Sequence, residues 1–456
     1  MTTRYLAPLA WVDGRWQREV CLSVDAHGHW SAIETGAPGE GATRLNGPVI
    51  PSLVDAHSHA FQRAFAGLAE RREAGADDFW SWRDRMYGLA LKLSPEQARA
   101  IAAQLYVELL KGGYTQVCEF HYLHHTPDGG AYPQDELAMS WALADAAADA
   151  GLGLTMLPVL YARSGFGEPG LREDQRRFRT DAAWVRHAQA RIAAAKRPLL
   201  NAGVALHSLR AANAADITEL LRLVGDEDLP IHIHIAEQQA EVAASLAHSG
   251  RRPMEWLCAN VPVDARWQLV HATHGTRKEI ESVGKTGAGV VICPGTEANL
   301  GDGLTDLPAW LDAGVPMSLG SDSHVTRCVV EELRWLEYGQ RLGLRQRNVS
   351  AAPPQQESTA ARLFELLRAG GARPAGLAQW GLERGARADF LVLDAQASGL
   401  LGLPAEHLLD GFVFATQGPA VQDVFVAGRA VVSNGRHAQE DRVAEAFADV
   451  MQQLWG

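Results

Sequence analysis

The chain has 456 residues, 47% hydrophobic and 21% charged, a globular composition that excludes disorder, a collagen-like chain and a disulfide scaffold. With 42 Lys and Arg against 54 Asp and Glu, the formal net charge is −12, so nucleic acid is not the expected partner, while a local basic pocket for a small acid stays compatible with the balance. Length alone suggests about three domains, a prior that single α/β barrels often escape.

In chain order, residues 1–48 read as short strands, with Asp13-Gly14 as a hairpin dipeptide between apolar and aromatic residues. The first residues contain no apolar run of signal-peptide type, and no stretch reaches the roughly 18 apolar residues of a membrane span, so a soluble cytoplasmic protein with no membrane partner is expected. From residue 49 the pattern alternates. Eight apolar runs occur at Val49–Asp55, Thr115–Phe120, Leu154–Leu160, Gly203–His207, Pro230–Ile235, Gln268–His271, Gly289–Cys293 and Pro316–Gly320, mostly with helical patterns between them. The clearest helix covers Ser94–Lys111, with Ser94 as N-cap, Pro95 at the first position, Gln97 closing a capping box and Gly112-Gly113 ending it. Such a series predicts a (β/α)8 barrel.

Strand-and-turn character returns after residue 385, with turns at Ala427-Gly428 and Asn434-Gly435, and Glu440–Leu454 reads as a last surface helix. The predicted organisation is a composite β-sandwich from residues 1–48 and 385–438, a barrel over 49–384 and a C-terminal helix over 439–456. The five cysteines are widely spaced with no Cys-x-x-Cys, and read as small buried hydrophobes.

Barrel chemistry gathers at the C-terminal ends of the strands. The first run ends in Asp55-Ala56-His57-Ser58-His59, the second in Glu119-Phe120-His121-Tyr122, the fourth at His207 with Arg210 after it, the fifth in His232-Ile233-His234-Ile235-Ala236-Glu237, the sixth at His271, and the eighth in Ser321-Asp322. The third and seventh offer only Tyr161 and Pro294. His57 and His59, two apart on a strand, face one way and can share one ion. His27-Gly28-His29 has the same spacing beside a turn and reads as solvated. His232 and His234 also share a face, so alternation leaves open which of them is a ligand. The weight comes from the combination of His and Asp on four strand ends.

Val54-Asp55-Ala56-His57-Ser58-His59, His234-x-x-Glu237, His271 and Gly320-Ser321-Asp322, with Gly385–Asp394 as the return to a flanking β-sandwich, resemble the amidohydrolase superfamily over nearly the whole chain. The fourth run ends in Leu206-His207-Ser208 without the bridging Lys or Glu of binuclear members, and His-x-x-Glu is similar to the mononuclear deaminase branch. This resemblance implies one divalent metal, Zn²⁺ or else Fe²⁺, on His57, His59, His234 and Asp322, with His234 chosen because Glu237 follows three residues later. The stretches Cys118–His125, Ala205–Arg210 and His232–Gln238 resemble, within that branch, enzymes that hydrolyse N-formimidoyl-L-glutamate to the N-formyl compound and ammonia in histidine degradation.

That resemblance implies Glu237 as proton donor, His271 as the residue that orients or deprotonates water, and Asp322 as ligand and proton acceptor. It further implies Gln62, Arg83, Tyr122, His207 and Arg210 around a small anionic substrate, and a homodimer. Guanidinium forks suit carboxylates. Residues 61–88, long for a loop, are expected to be a lid or a subunit contact. Competing readings are a deaminase of a ring amine such as guanine or a pterin, a binuclear hydrolase, and a non-catalytic barrel.

Overall fold

The computed structural model describes residues 2–36, 39–72, 78–418 and 420–456. Eight parallel strands close a barrel: β1 (Leu53–Ser58), β2 (Tyr114–His121), β3 (Gly153–Leu160), β4 (Val204–Ser208), β5 (Ile231–Ile235), β6 (Trp267–His271), β7 (Gly289–Ile292) and β8 (Met317–Leu319). Leu319 of β8 pairs with Asp55 of β1, and Ala205 and Leu206 of β4 pair with Val159 and Leu160 of β3. A short strand, Leu200–Ala202, adds to the outer side of β3.

The alternation of each strand sorts its side chains. Ile231, Ile233 and Ile235 join the core shared with the surrounding helices, while His232 and His234 between them face inward. Val54, Cys118, Phe120, Val159, Ala205, Val270, Val291 and Cys293 fill the interior. Four of the five cysteines are buried, and all are free.

Where β8 passes β1 the backbones come so close that only glycine fits. A Cβ on Gly320 would lie 2.6 Å from His57 Cβ and 2.9 Å from Cys293 Sγ. The Gly-Ser-Asp tripeptide thereby brings Asp322 beside His57.

The two chain ends build one continuous sheet. The N-terminal strands Thr3–Val12, Arg15–Val24 and Trp30–Thr35 join Val49–Pro51, and this strand joins Phe390–Leu393, Val421–Val426, Arg429–Ser433 and Arg436–His437. The sheet curls over its own face, as Tyr5 packs on both Phe390 and Phe425 and donates to the Gly428 carbonyl at 2.8 Å. The turns at Asp13-Gly14, Ala427-Gly428 and Asn434-Gly435 all have positive φ at both residues, the geometry that suits tight hairpins.

The run expected as a single strand over Val49–Asp55 is divided. Val49–Pro51 pairs with the flanking strands, and β1 starts at Leu53. Ser52 marks the crossing: its hydroxyl bonds Thr115, and its carbonyl accepts the Trp380 indole N–H.

The expected capped helix is Pro95–Gly112, with the Ser94–Gln97 capping box and Gly113 at φ 101°. The last helix, Glu440–Trp455, packs against it, and Trp455 donates to the Ala64 carbonyl. Residues 73–77, within the expected lid, lie outside the described residues. The flanking parts are a 3-10 turn, Ala60–Ala64, and a helix, Phe79–Ala90, rather than irregular loop.

Candidate metal centre and substrate pocket

Three imidazoles meet above β1 and β5. His57 Nε2 lies 3.1 Å from His59 Nε2 and 2.9 Å from His234 Nε2, and Asp322 Oδ1 is 3.4 Å from the Nε2 of both His57 and His59. His59 Nδ1 sits 2.9 Å from the Phe120 carbonyl and His234 Nδ1 3.0 Å from the His207 carbonyl. Carbonyls only accept, so both rings carry their proton on Nδ1 and turn bare Nε2 lone pairs inward. Such lone pairs this close repel one another unless a cation lies between them. Tetrahedral zinc with Zn–N near 2.05 Å would place its nitrogens about 3.3 Å apart, close to what is seen.

Burial also keeps the rings neutral, as ligands must be. It pushes His57 down to about 3 and lowers His59 and His234 as well. Burial would raise Asp322, but the His57 hydrogen bond and the neighbouring imidazoles hold it well below the usual carboxylate range. The donor set therefore fits one divalent ion. His232, the other candidate on β5, bonds the Pro374 carbonyl instead.

The backbone at the strand ends is unusual. Ala236, His271, Ala272, Asp322 and His324 all have positive φ, a conformation that costs non-glycine residues about 1–3 kcal/mol and persists only where the surroundings impose it. Asp55 imposes much of it at β8, accepting the Ser321 N–H at 2.9 Å and the Ser321 hydroxyl at 2.5 Å. His324 bridges Ser321 and Ser58, and Ser58 donates to Glu119, which also takes the Ala60 N–H. At β5, the Glu241 carboxylate accepts the N–H groups of Ala236 and Glu237.

One pocket opens over this centre. His59, Gln62, Arg83, Tyr122, His207, Arg210, His234, Glu237, His271 and Asp322 all line it, with His57 beneath. The sequence-derived residues are thus brought together, and Phe79, Trp82, Met86 and Tyr87 of the helix Phe79–Ala90 cover them. His271 Nε2 is 3.8 Å from both Glu237 Oε1 and Asp322 Oδ2. Burial raises Glu237 to about 7 against the pull of His271 and Arg210. Burial would lower His271, but the carboxylates of Glu237, Glu297 and Asp322 push it up to about 10.

The two arginines differ. Arg83 is already paired with Asp84 at 3.0 Å. Arg210 lies over Trp80, its Nε is buried without a hydrogen-bond partner, and among the described residues no carboxylate lies within ion-pair distance of it. Gln62 donates to the Tyr122 hydroxyl at 3.0 Å, and its own amide oxygen is buried and unbonded.

The sequence passes over Glu297 and Glu241, and it places Asp55 and Tyr161 at strand ends without assigning either a role. Tyr161 packs against His207 with ring centroids 4.2 Å apart and planes tilted by 48°, and bonds the Tyr87 hydroxyl at 3.0 Å. A Glu three residues beyond Pro294 was the one signal from the seventh strand.

Residues 49–431 match the model of the amidohydrolase family. Formimidoylglutamate deiminase of Pseudomonas aeruginosa is 47% identical over 440 residues, covering 96% of each chain. A 5-methylthioadenosine/S-adenosylhomocysteine deaminase of Natronomonas pharaonis is 28% identical over 85% of this chain and 81% of its own. Among solved structures, an amidohydrolase from Brucella melitensis superposes over 100% of both chains with a TM-score of 0.93 and 42% identity.

Proposed function

This chain belongs to the amidohydrolase family, and from that premise we propose that it is a metal-dependent deiminase converting N-formimidoyl-L-glutamate and water to N-formyl-L-glutamate and ammonia, a step of histidine degradation. The observation that carries the substrate class is the unpaired Arg210 guanidinium in the same pocket as Glu237 and the histidine cluster. The nearby Glu241 and Glu237 carboxylates favour the charged guanidinium without forming an ion pair with it, so its Nε donor stays available to a substrate carboxylate. Gln62 and Tyr122 offer further polar contacts, and Arg83 can exchange Asp84 for substrate.

A divalent ion on His57, His59, His234 and Asp322, zinc foremost and iron as the second choice, would supply a water acidified toward about pH 7 and a field that polarises the C=N bond. The protein's own groups handle the rest. The attacking oxygen bonds to the formimidoyl carbon. Glu237, with a proton affinity tuned near neutrality, protonates the terminal nitrogen. His271 Nε2 faces Glu237 and Asp322 and holds the water on line, and Asp322 Oδ2 is the acceptor available for its proton. The proton taken by Asp322 then passes to that nitrogen, its C–N bond breaks and ammonia leaves, while the hydroxyl proton of the intermediate returns to Glu237 as the formyl C=O forms.

A ring-amine deaminase would have no use for Arg210, and the end of β4 carries no Lys or Glu for a second metal. We place the enzyme in the cytoplasm as a homodimer. Among the described residues no helix is long and apolar enough to cross a membrane. Sedimentation giving a monomer at micromolar concentration would overturn the dimer. The deiminase reading is tested by mass spectrometry of the products with metal analysis of the same preparation. N-formylglutamate and one metal per chain are expected, whereas free glutamate with formamide would mean that the wrong bond is cut.

A further inference from the structure

His271 projects from β6, and what fixes its ring comes from the seventh strand. β7 ends at Ile292, and Pro294 starts a short helix, Pro294–Leu300, whose first turn contains Glu297. Glu297 Oε1 lies 3.3 Å from His271 Nδ1, on the edge of the ring opposite Glu237 and Asp322. The same oxygen accepts the Cys293 N–H at 3.0 Å. Glu297 is 4% exposed and His271 1%. The neighbouring Thr296 hydroxyl reaches the Ser321 carbonyl and the Ser323 hydroxyl, which ties this turn to the loop that carries Asp322.

We propose that Glu297 is the positioning residue for His271: it accepts the Nδ1 proton, fixes the plane of the ring, and so presents Nε2 to the reacting water. An ionised carboxylate can only accept, so the contact places a proton on Nδ1. The Cys293 N–H holds the carboxylate itself in place, so the ring is aimed by backbone geometry at one remove. Carboxylates behind a working imidazole have this orienting effect in unrelated sites. The proposal rests on the deiminase reading for what His271 does, but not for how its ring is held.

The test uses metal-loaded Glu297→Ala and Glu297→Gln, each alone and with His271→Asn. Expected for Glu297→Ala is a fall in kcat of about 10²-fold, with KM within about threefold and metal still at one per chain. Glu297→Gln keeps an acceptor oxygen and should retain at least about tenfold more activity than the Ala variant. In the His271→Asn background the Ala change should cost less than about threefold, because the group it aims is gone. Imidazole ¹⁵N spectra of the metal-loaded protein should show His271 protonated on Nδ1 in the parent and in Glu297→Gln, and that state lost in Glu297→Ala.

A kcat loss below threefold in Glu297→Ala, a full additive loss in the His271→Asn background, or an unchanged Nδ1-protonated ring would overturn the proposal. If Glu297→Ala does not fold, a Glu297→Gln spectrum with His271 unprotonated at Nδ1 would do the same. If the parent enzyme releases no ammonia from N-formimidoyl-L-glutamate, the substrate reading fails, and the spectra still decide the role of Glu297.

Discussion

Replacing Arg210 with Met removes the guanidinium but keeps a side chain of similar reach over Trp80, so packing changes little and charge recognition is isolated. The Arg210 Nε is buried and unpartnered, so its donors are free for a substrate carboxylate. Two charge-assisted hydrogen bonds at about 1.5–3 kcal/mol each amount to roughly 3–6 kcal/mol, or a loss of about 10²–10⁴-fold in kcat/KM. Arg83 gives the internal comparison. Its guanidinium already holds Asp84 at 3.0 Å, so substrate only exchanges one carboxylate for another, and Arg83→Met should lose about tenfold or less. Steady-state ammonia release over a wide range of N-formimidoyl-L-glutamate measures both, with metal content as the control for an intact site. An Arg210→Met loss below threefold, or a larger loss for Arg83→Met than for Arg210→Met, would refute the carboxylate-clamp reasoning.

Glu237→Gln should keep metal at one per chain while kcat falls by at least about 10³-fold, since the amide cannot pass a proton; stopped assays with metal analysis check it. Chelation should abolish turnover and lower the thermal midpoint, because the ion stabilises only the folded arrangement of His57, His59 and His234; zinc should restore both, and an unchanged midpoint would count against the site. Asp302 is pushed up to about 9, first by burial and then by the nearby Glu237, so the folded state keeps a proton that the unfolded chain gives up near pH 4. Its contribution is therefore fully present at low pH and fades as pH rises toward 9, by up to about 1.4 kcal/mol per unit. Melting curves between pH 6 and 9 should fall more steeply for the parent than for Asp302→Asn, and parallel slopes would contradict the assignment.

The barrel was legible because parallel strands buried on both faces leave unbroken apolar runs, and the runs at Leu154–Leu160 and Pro230–Ile235 fall within a residue of β3 and β5. The His and Asp side chains were legible because they end those runs. What stayed hidden depends on distance in sequence. Asp55 meets Ser321 across 266 residues, and no local pattern announces that bond. Glu297 escaped because it sits on a helical turn beyond Pro294, not on a strand end. The helix Phe79–Ala90 was read as loop because its apolar face, with Met86, Tyr87 and Leu89 buried, is short and interrupted by charged residues. Division of the first run at Ser52 was invisible because both halves are equally apolar and only pairing partners distinguish them.

The most direct measurement is kcat/KM for ammonia release from N-formimidoyl-L-glutamate against guanine, on one preparation with its metal quantified. Rapid release is expected from the former, none above background from the latter, with activity proportional to metal up to one ion per chain. Turnover of guanine in preference to the amidine, or full activity in metal-stripped protein, would contradict the deiminase reading.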